Sequence, residues 1–133
     1  MRTLRAVLVI HGVITLAGAF VLVVFPTAIP SAVGITLMRP DYLLVYLVAA
    51  AELAVAVLSF GAVRITDRAA LGLIVATLVV LHSVSGILDI VYMALTEPNG
   101  TMISNAVLRF AVVAVLLGAW WAARRHQTPG TSR

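Results

Sequence analysis

Cysteine is absent from these 133 residues, and lysine with it: all nine basic side chains are arginine. Without thiols the chain cannot build a disulfide framework, a thiolate metal site, an iron–sulfur cluster or a cysteine nucleophile. Charge is scarce as well. Only 11% of the residues are charged, against 62% hydrophobic, and a soluble domain of this size cannot coat its surface from so small a polar supply. The formal charge of +4 would suggest nucleic acid in a soluble protein. Here the arginines stand in turns and tails beside apolar runs, the pattern that orients membrane spans and meets anionic lipid headgroups, so nucleic acid is not an expected partner.

Internal proline is the next absence. Four apolar runs, residues 4–25, 42–63, 69–95 and 104–123, contain none, and each approaches the ~20 residues a helix needs to cross hydrocarbon. Pro26 and Pro30 stop the first run. That run is longer than the apolar core of a cleavable signal peptide, about 7–15 residues, and reads as a span. The fold class predicted is therefore all-α: an integral membrane four-helix bundle in one domain, residues 1–125, followed by a disordered tail, residues 126–133. Residues 31–38 are apolar but too short to cross, and read as a short interfacial segment between the first two long helices.

Arginine also predicts orientation. Arg2, Arg5, Arg64, Arg68, Arg124, Arg125 and Arg133 fall on one side, and among the loops only Arg39 falls on the other. The arginine-rich side reads as cytoplasmic, which places both termini there and the chain in a bacterial inner membrane, with lipids as its first partners.

Ionisable groups inside apolar runs cost about 2.5 kcal/mol or more at mid-bilayer and tend to face the bundle interior. They are His11, Glu52, His82, Asp89 and Arg109, with Arg64 at an edge. At 1.5 Å per residue from the outer ends, Glu52 lies roughly 15 Å deep, His11 and His82 roughly 20 Å, and Asp89 and Arg109 roughly 8 Å. Asp89 and Arg109 then share a level on consecutive antiparallel helices, and a salt bridge keeps both charged.

Glu52, His11 and His82 form a deeper set. His82, Ser85, Gly86 and Asp89 fall at i, i+3, i+4 and i+7, one polar face of the third run. The first run aligns His11, Thr15 and Gly18, and the second Ala49, Glu52, Ala56 and Ser59. Thr15, Ser85, Asp89, Asn105 and Arg109 are the candidate lining of a polar pocket that opens outward. Three roles fit the Glu52, His82 and His11 set: a hydrogen-bonded lock on helix register, acid–base catalysis on a lipophilic substrate, or coupling of a proton to solute passage. Two imidazoles and a carboxylate would also suit zinc or iron, but no local spacing such as H-E-x-x-H supports a metal, and no cofactor is indicated. Val9-Ile10-His11-Gly12-Val13 echoes Val80-Leu81-His82-Ser83-Val84, either as a parallel repeat or by chance in a chain rich in Val, Leu and Ile.

An arginine-flanked first run ending at Phe25-Pro26, a Val33-Gly34-Ile35 connector and the Arg64-to-Arg68 turn together resemble the small bacterial DoxX-like membrane proteins. The resemblance implies a four-helix membrane fold and, in some members, an accessory place in a membrane oxidoreductase. It carries no catalytic residue onto this chain. The functional expectation is a protein that binds a lipophilic small molecule, or serves a larger membrane complex or homo-oligomer. A membrane-embedded isomerase or cyclase and a small proton-coupled transporter are the alternatives.

Overall fold

The computed structural model describes residues 1–125, and the expected tail, residues 126–133, lies outside them. The described residues are mostly helical: α1 (Arg2–Val24), a short α2 (Ala28–Ala32), a single 3-10 turn (Arg39–Asp41) running into α3 (Tyr42–Ala62), then α4 (Arg68–Leu95) and α5 (Gly100–Arg125). Four of the helices are long and apolar enough to cross a membrane. Their outward faces stay apolar: Leu44, Leu73 and Leu95 are 67%, 70% and 79% exposed, where a water-soluble bundle would carry charge.

Local chemistry explains the boundaries. Pro26, which has no N–H to give, follows α1 directly. α2 closes in a Schellman turn: the Ile35 N–H reaches the Pro30 carbonyl at 2.9 Å and the Gly34 N–H reaches that of Ser31 at 3.0 Å. Gly34 holds φ +82° at the pivot, a conformation in which a Cβ would be strained. The Asp67 carboxylate caps α4 by accepting the Ala69 N–H at 2.9 Å. Asn99 does the same for α5, accepting the Met102 N–H at 3.0 Å. That cap is why α5 starts at Gly100 and not at Ser104, where hydropathy alone puts it.

The helices pack as two antiparallel pairs, α1 with α3 and α4 with α5. α1 also rests on α5, whereas α3 and α4, although consecutive, touch only slightly. Glycine permits both close pairings: a Cβ on Gly12 would come within 2.8 Å of the Phe60 ring, and one on Gly86 within 3.0 Å of the Phe110 ring. At the end holding Met1 and Arg125, the termini of the described residues, Leu4, Leu8, Leu71, Leu78 and Leu116 have at most 1% exposure and fill the interior. The opposite, connector end has a smaller core of Leu22, Val45 and Ala49, with Leu37 of the connector against it. Polar groups occupy the level between the two.

Candidate functional site

His11 of α1 is the centre of the polar level. It is buried, and its two ring nitrogens reach two other helices: Nδ1 lies 2.9 Å from Ser59 Oγ on α3, and Nε2 lies 2.7 Å from Nε2 of His82 on α4. The imidazoles meet edge to face, with centroids 5.0 Å apart. Ser59 sets the direction of the whole chain. Its single hydroxyl hydrogen goes to the Val55 carbonyl at 2.8 Å, so its oxygen accepts from His11 Nδ1–H. His11 Nε2 is then a lone pair and accepts from His82 Nε2–H. His82 Nδ1 is left as a bare acceptor, and it is buried with no partner. The two histidines are the equivalent positions of the sequence echo, and they meet nitrogen to nitrogen across the bundle.

Glu52 does not join them. It is half-buried on α3 and forms no hydrogen bond or ion pair among the described residues, although the charge of Arg109 acts on it and on His82. The expected triad of Glu52, His11 and His82 is thus a histidine pair completed by Ser59. Ser59 shared a stripe with Glu52 in the sequence, at i+7, but nothing there marked it as a partner of His11. Thr15 is buried and spends its hydroxyl on its own helix, donating to the His11 and Gly12 carbonyls at 3.0 and 3.2 Å. Ser85 is half-buried and makes no side-chain hydrogen bond among the described residues.

About two helical turns nearer the connector, roughly 10 Å away, lies a second polar group. Asp89 Oδ2 receives Arg109 Nε at 2.9 Å and Asn105 Nδ2 at 2.8 Å. Asn105 and Arg109 stand at i and i+4 on α5, so one turn of that helix presents both donors to α4. The second carboxylate oxygen of Asp89 has no partner among the described residues.

Above this group opens a cleft of about 290 Å³. Ile29 of α2, Val33 and Ile35 of the connector, Tyr92 of α4 and Met102 of α5 form its apolar walls, and Asp89 and Asn105 its polar floor. A notch at the termini end, between Met1, Arg68, Trp120 and Arg124, measures about 10 Å³, which is space for a water and no more.

No three His, Cys, Asp or Glu side chains converge among the described residues. Two imidazoles on one tetrahedral zinc would hold their nitrogens about 3.3 Å apart, whereas these share a hydrogen at 2.7 Å. The histidine pair ties α1, α3 and α4 together through two side-chain hydrogen bonds. No protein-family model, no curated protein and no solved structure matches this chain.

Proposed function

We propose that this chain is a small multi-pass protein of a bacterial inner membrane, with both termini cytoplasmic, which binds a lipophilic small molecule in the connector-end cleft. It does so alone or as the accessory subunit of a larger membrane complex, the role to which the DoxX-like layout also points. The observation that carries the reading is the cleft itself: five apolar walls over the Asp89 and Asn105 floor, the composition of a ligand pocket. Leucine fills the half beneath the histidine pair, and the buried polar side chains among the described residues, His11, Thr15 and Ser59, stop at that level, which favours binding over the passage of a proton with a solute. Arginine placement supports the orientation, since six of the described arginines stand at the termini end and Arg39 alone among the loops at the other.

Orientation has a direct check. Reporter fusions after Arg68 and after Arg125 are expected to read cytoplasmic and one at Asn99 external; Asn99 and Arg68 reading from the same side would remove a span from the fold.

Binding is tested by filling the cleft. Met102 is 6% exposed at its wall, and Met102→Trp is expected to leave the melting temperature within a few degrees of wild type while abolishing a small-molecule adduct seen by native mass spectrometry of protein released from membranes. An adduct that survives in the folded variant would place the ligand elsewhere.

A further inference from the structure

Hydrogen-bond direction at the floor of the cleft defines what its occupant must offer, granted the binding role proposed above. Asp89 and Asn105 are the two polar side chains that line it besides the Tyr92 hydroxyl. Asp89 commits one oxygen, Oδ2, to Asn105 and Arg109, and keeps Oδ1 unpaired. The bond from Asn105 to a carboxylate must come from its amide nitrogen, so the Asn105 carbonyl oxygen is the atom left over. Both free oxygens are acceptors. Arg109, a strong donor, is not part of the lining, and its guanidinium neutralises Asp89.

We propose that the cleft selects an amphiphile whose polar end donates hydrogen bonds and carries no charge, an aliphatic alcohol being the simplest member of the class. An anionic head would meet the carboxylate of Asp89 and find one spare amide hydrogen of Asn105 as its donor. A cationic head would add a second positive charge to a pair already balanced, in a poorly solvated place. At about 290 Å³ the cleft is at the small end of ligand pockets, which suits a single-chain molecule and not a two-chain lipid.

The test uses three probes of one chain length, 1-decanol, decanoate and decylammonium, titrated into the full-length protein in nanodiscs. The side-chain amide NMR signals of Asn105 are the local reporter, and the Met102→Trp protein gives the background. Decanol is expected to bind at least tenfold more tightly than either ion, and Asn105→Leu, followed by the Met102 methyl signal in place of the lost amide, to weaken decanol about threefold to tenfold, the worth of one neutral hydrogen bond. Decanoate or decylammonium binding as well as decanol would overturn the selectivity while leaving the cleft as a ligand site. If no probe binds above the Met102→Trp background, the binding role and the selectivity fall together.

Discussion

Alanine at Asp89 or at Arg109 alone is expected to lower the melting temperature in detergent more than alanine at both. The pair is bonded at 2.9 Å with each side chain 27% exposed. Removing Arg109 leaves Asp89 with one neutral donor, Asn105; removing Asp89 strands a guanidinium with no other acceptor within bonding distance among the described residues. A fully buried pair costs about 3–5 kcal/mol to break from one side, and partial exposure reduces that here to about 2–3 kcal/mol. The double variant removes both charges and with them the desolvation penalty, so a coupling at least as large as a single loss, about 2–3 kcal/mol, should appear in a double-mutant cycle. Additive losses would mean that the two side chains contribute independently and that the floor of the cleft is not held by their bond.

The second large effect is asymmetric. His11→Ala deletes two hydrogen bonds, leaving His82 Nε2–H without an acceptor and the Ser59 oxygen without its donor. His82→Ala deletes one, and removes along with it the Nδ1 atom that has no partner to lose. Each opens a comparable cavity, so the difference isolates the polar groups: about 2–4 kcal/mol is expected for His11→Ala, and about 1–2 kcal/mol less for His82→Ala. Thermal melts of the two variants measure it. A larger loss at His82 would mean that the two bonds of His11 and the one of His82 do not set the difference between the variants.

The four long helices were legible from proline placement and run length. So was the Asp89 and Arg109 ion pair, from depth counting on antiparallel neighbours. The cap on α5 escaped because Asn99 precedes Gly100 and Thr101, weak helix residues that hide the start from a hydropathy window. The deep set was half legible. His11 and His82 do meet, but Glu52 was placed with them by depth and by its stripe with Ala49, Ala56 and Ser59, and of that stripe it is Ser59 that bonds to His11.

Composition and linear pattern were thus sufficient for what depends on distance along the chain: how many helices form, where they stop, which end holds the arginines, and at which level each ionisable group sits. Rotation of each helix about its own axis was decided only in the tertiary structure. In these helices apolar residues cover most of every face around the polar stripes, so periodicity says which residues share a face but not which neighbour that face meets. The choice falls to long-range contacts, Phe60 lying on Gly12 and Phe110 on Gly86, in which a ring needs a missing side chain on another helix. Those two contacts pair α1 with α3 and α4 with α5. The pairings turn Ser59 toward His11 and Asn105 and Arg109 toward Asp89, and they leave Glu52 without a bond.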